Sequence, residues 1–282
     1  MLIYFILILL GVIYGTIAPI LGIGGGFFFV PTLNILFSLD IHVAISTSMF
    51  VILFTSMSGT IRYYFTGRIN KEIIKIGLIL SITSILGAIL GSIFKEFLTS
   101  DMLKIIFSIF IIFIGAYMVF QSLKEKPEDI EKKSFIEMRI MGDFFNKFNI
   151  NGSLFDKDNK KYDYSLNLIL ILPISFLSGV VSGLLGIGGG FINVPTLNIL
   201  CHVPMHFAVA TSTFMIIFAA ITNNITNFII SYIDIFLGLI LALGTIIGAQ
   251  IGPKIVEKIS SRNLKILFGL FTIGFSIYYI FT

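Results

Sequence analysis

The sequence predicts an all-α polytopic membrane protein made of two homologous repeats, each with four long transmembrane helices and one short helix after a glycine-rich break. Three observations lead there. The chain of 282 residues is 56% hydrophobic and 12% charged, with a mean hydropathy of +1.01, far too apolar for a water-soluble domain. Apolar runs of about 20 residues, the length that crosses a hydrocarbon core of about 30 Å, recur along the whole chain. And the chain duplicates itself: Gly22-Ile-Gly-Gly-Gly-Phe-Phe-Phe-Val-Pro-Thr-Leu-Asn-Ile-Leu36 returns as Gly186-Ile-Gly-Gly-Gly-Phe-Ile-Asn-Val-Pro-Thr-Leu-Asn-Ile-Leu200. An offset of 164 also pairs His42 with His206 and Thr47-Ser48 with Thr211-Ser212; after three residues drop out near Ile76, an offset of 161 pairs Gly87 and Gly91 with Gly248 and Gly252.

The first repeat occupies residues 1–121. Leu2 to Leu21 is a first span; it lacks a basic leader and is repeated as Leu166 to Leu185, so it reads as retained rather than cleaved. Four glycines among Gly22 to Gly26 and the missing N–H of Pro31 break the helix there. Phe27 to Ser38 is apolar but would reach only about 18 Å as a helix. Asp40 and His42 mark a membrane edge. Val43 to Ile61, Lys71 to Phe94 and Met102 to Gln121 are three further spans, the second carrying Gly87 and Gly91 at a spacing that allows close helix contact.

Residues 122–163 carry nine Lys/Arg and nine Asp/Glu and read as a solvated linker. Within it Phe135, Ile136, Met138, Ile140, Met141, Phe144, Phe145 and Phe148 recur at helical spacing. They predict an amphipathic helix on the membrane surface or the bundle, ending near Asn149 to Gly152. Residues 164–282 form the second repeat: Leu166 to Leu185, the short Phe191 to Leu200, Val203 to about Ile230, Ile235 to Ile251, and Leu264 to Phe281.

Basic residues bear on orientation. If only the eight long spans cross, the repeats are parallel and the two sides hold 13 and 6 Lys/Arg. If each short segment, with its extended glycines, completes a fifth crossing, the repeats are inverted and the sides hold 17 and 2. The positive-inside rule prefers the inverted arrangement, with both termini outside and the linker in the cytoplasm; a re-entrant short segment is the other reading.

Broken backbone within a membrane is tolerated where it is buried in protein or lines a watery cavity, so the two breaks are expected to meet near the midplane. Backbone N–H groups at Gly22, Gly24, Gly25, Gly26 and Phe27, and at Gly186, Gly188, Gly189, Gly190 and Phe191, then suit an anion. Pro31 and Pro195 break the helices. Thr32, Thr47, Ser48, Thr196, Thr211, Ser212, Asn223 and Asn224 are candidates to complete its shell; the hydroxyls could instead bond helix carbonyls, and the role of the two asparagines is one-sided because their counterparts are Gly59 and Thr60. His42 and His206 could carry protons near neutral pH or serve as interfacial caps. No cofactor or metal is expected. The net charge of +4 is no sign of nucleic acid, because the basic residues lie in loops and suit a membrane surface. A nucleotide loop fails: Phe27 stands where a third glycine is needed and no Lys-Ser/Thr follows. The lone Cys201 rules out an intrachain disulfide.

The paired Gly-x-Gly-Gly-Gly-Phe and Val-Pro-Thr-Leu segments, each followed by Ala-x-x-Thr-Ser at Ala44 to Ser48 and Ala208 to Ser212, resemble the sulfite exporter TauE/SafE family. The resemblance spans both halves. It implies a multi-pass permease that moves small sulfur-containing anions such as sulfite, sulfoacetate or other organosulfur compounds across the cytoplasmic membrane, coupled to an ion gradient. An anion channel and a non-transporting subunit that docks a partner through the linker are the competing readings. An enzyme is disfavoured: with three histidines, one cysteine and six acidic residues outside the linker, no metal cluster or activated nucleophile is apparent. Small-residue faces permit a homodimer but suit bundle packing equally.

Overall fold

The computed structural model describes residues 2–124, 148–155, 161–230 and 233–256, with isolated positions at 259, 263, 266 and 270. The first repeat comprises α1 (Leu2–Leu21), α2 (Gly26–Pro31), α3 (Ile41–Phe65), α4 (Lys71–Lys95) and α5 (Ser100–Lys124). An antiparallel hairpin follows, β1 (Asn149–Phe155) paired with β2 (Lys161–Asn167). Then come α6 (Leu168–Leu185), α7 (Gly190–Pro195), α8 (Met205–Ile230) and α9 (Ile235–Val256). Six of these, α1, α3, α4, α6, α8 and α9, are long and apolar enough to cross a membrane. The last span expected from the sequence, Leu264 to Phe281, and the amphipathic linker helix lie outside the described residues but for isolated positions.

The helix boundaries follow from local chemistry. Side-chain oxygens of Asp40, Asn70, Asn167 and Asp234 accept the N–H groups of His42, Ile73, Leu170 and Leu237, capping α3, α4, α6 and α9. Pro31 and Pro195 cannot donate into the helix, and directly after each the backbone widens to a π turn, over Thr32–Leu36 and Thr196–Leu200. The turn that follows is built alike in both repeats: Asn34 Nδ2 donates to the Leu39 carbonyl at 2.8 Å and Asn198 Nδ2 to the Val203 carbonyl at 3.0 Å.

Contacts give the helix directions. α1 lies along α9 with low numbers opposite low: Gly11 faces the Leu241 carbonyl, Gly15 faces Thr245 and Gly252 faces the Thr16 carbonyl. α4 lies along α6 in the same parallel sense, Gly87 against Phe176 and Gly91 against Val180. In both pairs the glycines let backbones touch, the close-packing role expected of Gly87, Gly91, Gly248 and Gly252. α3 is parallel to α9, since Thr47 Oγ1 accepts from Asp234 N and Ser58 Oγ donates to the Ile246 carbonyl. α8 is parallel to α4, Gly77 facing Phe214 and Lys95 bonding Asn227. α3 and α8, the equivalent central helices, run antiparallel: Asn224 Nδ2 donates to the Met49 carbonyl at 3.1 Å, while Gly59 sits against Thr213.

Large apolar side chains face outward along the spans, Ile82 at 64% and Phe113 at 70% exposure among them, while Ser46, Thr47, Ser48, Thr211, Ser212 and Asn223 are fully buried. That inversion of a soluble protein's surface suits lipid as the solvent. The hairpin, which takes up the end of the stretch read as solvated linker and the first residues of the span expected from Leu166, sits on the end of the bundle that holds the α3–α4 loop. Tyr164 OH donates to Glu72 Oε2 at 2.8 Å, Ser165 N to the Cys201 carbonyl, and the Arg68 guanidinium lies 5.4 Å from the centre of the Phe207 ring. Burial, and then the Glu72 carboxylate, push the Tyr164 phenol upward from its ordinary pKa.

Candidate functional site

Each break starts where its first helix runs out. Gly22 N bonds the Pro19 carbonyl and Ile23 N the Ala18 carbonyl. The chain then takes φ of +69° at Gly22, +81° at Gly24 and +95° at Gly25, and in the second repeat +69° at Gly186, +83° at Gly188 and +75° at Gly189. A side chain in this left-handed region costs about 1–2 kcal/mol per residue, which is why glycine recurs at matching places.

The two breaks meet. A Cβ on Gly24 would lie 3.2 Å from Ile52 and 3.3 Å from Ile216, and one on Gly188 would lie 3.2 Å from Ile216 and 3.5 Å from Ile52. The same two isoleucines, equivalent by the 164-residue offset, therefore flank both glycines. Gly26 presses on the Gly186 carbonyl and Gly190 on the Gly22 carbonyl. Each of these carbonyls is held by a serine from its partner repeat: Ser48 Oγ donates to Gly186 at 2.9 Å and Ser212 Oγ to Gly22 at 2.7 Å. Phe27 and Phe191 cross edge to face with centroids 5.8 Å apart. The breaks thus form one buried, pseudo-two-fold crossing.

The hydroxyl protons of Ser48 and Ser212 are committed to those carbonyls, so in this conformation neither can donate to a guest. The N–H groups of Gly24, Gly25, Gly188 and Gly189 make no hydrogen bond among the described residues. Successive N–H groups in a left-handed turn form a concavity suited to an anion, and buried donors without acceptors are costly. Chemically, the crossing offers donors and no charge.

The other sequence-predicted residues lie elsewhere. Thr32 donates to Tyr14 OH at 3.3 Å. Thr196 and Thr211 bond carbonyls one turn back, Ile192 and Phe207, the helix-bonding alternative. Thr47 receives Asp234 N at the start of α9. Asn224 Nδ2 serves the Met49 and Ala220 carbonyls, and Asn223 bonds Ser92 and Ser182. His42 and His206 are half-buried in the first turns of α3 and α8, which the antiparallel packing sets at opposite ends of the bundle.

Sequence reasoning missed Lys95. It reads as a loop residue just past a span, yet the structure buries it completely, with Nζ donating to Ser46 Oγ at 2.8 Å and Asn227 Oδ1 at 3.0 Å. A signal was present: Ser92 and Lys95 lie three apart on α4, Asn223 and Asn227 four apart on α8, each pair sharing one helix face.

Broken helices at the centre of a bundle with an apolar exterior define a polytopic α-helical membrane protein. The chain belongs to the sulfite exporter TauE/SafE family, whose family model matches residues 7–279, and it is thereby a membrane transporter. It is similar to Probable membrane transporter protein YunE of Bacillus subtilis, 32% identical over 228 residues covering 78% of this chain and 77% of that protein. Probable membrane transporter protein MJ0441 of Methanocaldococcus jannaschii is 29% identical over 222 residues, 77% of this chain and 69% of that one. Sulfite exporter TauE/SafE family protein 6 of Arabidopsis thaliana is 32% identical over 68 residues, 24% of this chain and 16% of that one. No solved structure matches the chain.

Proposed function

We propose that the chain is a permease that carries small sulfur-containing anions, such as sulfite or sulfoacetate, across the cytoplasmic membrane by alternating access. The observation that carries this reading is the pair of left-handed glycine breaks that meet at Gly24 and Gly188, flanked by the same Ile52 and Ile216, with N–H donors left unspent among the described residues. The sulfur chemistry of the substrate comes from the family's name. The repeats are read as inverted, supported by the antiparallel run of α3 against α8 and the parallel run of α1 against α9. Each repeat then crosses five times, the fifth crossing being the glycine break together with α2 or α7. The hairpin end, which carries Arg62, Arg68 and Lys71, faces the cytoplasm by the positive-inside rule.

In the proposed cycle the two repeats rock about the crossing. The Ser48 and Ser212 bonds to carbonyls of the opposite repeat hold the closed form; parting the repeats frees both hydroxyl protons for the anion at the moment the cavity opens. His42 and His206, at opposite ends, are the groups proposed to exchange protons with the two sides.

The test is uptake of radiolabelled sulfite into vesicles holding purified protein, competed with taurine, sulfoacetate, thiosulfate and sulfate, with and without a pH gradient. Saturable uptake that follows the gradient is expected. Folded protein that moves none of these would refute the substrate class. Uptake by a chain lacking residues 125–147 separates transport from a partner-docking role of the linker.

A further inference from the structure

Lys95 is the last residue of α4, on the end of the bundle away from the hairpin. Its side chain has 0% exposure. A buried ammonium is costly unless it is paired and hydrogen-bonded, so what surrounds it is informative. Ser46 Oγ accepts from Nζ and donates its own proton in a hydrogen bond to the His42 carbonyl at 2.8 Å, which leaves that hydroxyl no proton to offer a guest. Asn227 must turn Oδ1 toward Nζ, because an ammonium only donates. Its Nδ2 is therefore a donor, and it is buried without a partner in a residue only 1% exposed.

Among the described residues the carboxylate paired with the ammonium is that of Glu96, Oε1 at 3.6 Å, on a side chain 33% exposed. A charge-assisted N–H···O bond runs at about 2.7–2.9 Å, so at 3.6 Å this carboxylate pairs with the ammonium beyond the shortest contact distance, from a side chain that also meets solvent. A buried cation, an adjacent buried N–H donor without a partner and a carboxylate that reaches the cation from a partly exposed side chain are the features of a site for an oxyanion. Packing alone does not demand them: the matching positions in the other repeat are Val256 for Lys95, Ala210 for Ser46 and Tyr63 for Asn227, none of them charged.

We infer that Lys95 and Asn227 form a second anion station, at one end of the pathway only, where a small oxyanion displaces Glu96 and is held by the ammonium and the Asn227 amide. The station deepens the permease reading and rests on it: the central crossing supplies donors without charge, and Lys95 supplies a buried cation that draws the anion in from this side. α3, α4 and α8 each give one residue to it, so the station joins both repeats and opens when they part.

The test is isothermal titration calorimetry of the purified full-length protein with sulfite, thiosulfate, sulfate and nitrate, on wild type and three variants whose folding is checked by circular dichroism. Lys95→Gln removes the charge. Asn227→Asp keeps the ammonium paired, and therefore folded, while replacing the free donor with an acceptor. Lys95→Arg keeps the charge. Affinity for at least one oxyanion is expected to fall about tenfold or more in the first two and to persist in the third. Unchanged affinity in both Lys95→Gln and Asn227→Asp would overturn the station while leaving the permease standing. No heat with any anion on wild type would also overturn it, and sulfite uptake by the same preparation in vesicles then decides separately whether the permease reading survives.

Discussion

Gly26→Ala and Gly190→Ala probe the crossing of the two breaks with the smallest available perturbation, one methyl group. A Cβ on Gly26 would stand 2.6 Å from Ile187 Cα, and one on Gly190 would stand 2.6 Å from Ile23 Cα. Carbon atoms rest at about 3.5–4.0 Å, so backbone on the facing repeat must retreat by about 1 Å. Overpacking of this kind costs about 1–3 kcal/mol. The retreat also pulls the Gly186 or Gly22 carbonyl from Ser48 or Ser212, each such bond contributing about 1 kcal/mol. Each variant is therefore expected to lose about 2–4 kcal/mol and most of its transport, the two matching one another because the contacts are reciprocal. Gly59→Ala is the control, since its nearest atoms are side-chain carbons of Pro19 and Thr213 at 3.2–3.3 Å, which can yield by tenths of an ångström. The assay is thermal unfolding in detergent followed by the reactivity of Cys201, the one cysteine of the chain and completely buried. If Gly26→Ala and Gly190→Ala both melted with the wild type and carried anion at its rate, the crossing would be wrong.

Other perturbations reach other parts of the account. Ser48→Ala and Ser212→Ala each lose one carbonyl bond across the repeats, about 1 kcal/mol apiece, and the double variant read against the singles in the same melt reports whether the two bonds act together. Tyr164→Phe removes the bond to Glu72 that pins the hairpin, again about 1 kcal/mol; amide exchange in β1 and β2 should rise while transport is unchanged. For orientation, Phe97→Cys and Phe155→Cys are made in a Cys201→Ala background, both positions being well exposed. A membrane-impermeant thiol reagent is expected to label Phe97→Cys in intact cells and Phe155→Cys only after permeabilisation; the reverse pattern would invert the proposed topology.

Much of this architecture was legible in the letters of the chain. A duplication that copies Gly22 to Leu36 onto Gly186 to Leu200 copies its geometry too: φ agrees within 2° at Gly24 and Gly188, and Asn34 and Asn198 close the same turn. Local rules sufficed for that, because left-handed glycine and donorless proline act on their own segment. Partners across the bundle were not legible. Ser48 and Thr47 are neighbours in sequence with the same chemistry, yet only Ser48 faces the opposite break, while Thr47 turns to Asp234. Helix faces choose between them, and the choice depends on where α8 and α9 lie. The hairpin hid among charges, although Tyr162, Tyr164 and Leu166 do alternate as a half-buried strand should. Lys95 was hidden by its position, since a lysine at a span's end normally reaches toward water; here α3 and α8 close over it.

The most direct test of the central claim is counterflow: vesicles preloaded with unlabelled sulfite and diluted into labelled sulfite, for wild type, Gly24→Leu and Gly188→Leu. Alternating access about the paired breaks predicts transient, saturable accumulation of label by the wild type. It predicts none by either leucine variant, although both remain in the membrane. Accumulation at the wild-type rate in either variant, or wild-type flux that neither saturates nor responds to the preloaded anion, would contradict it.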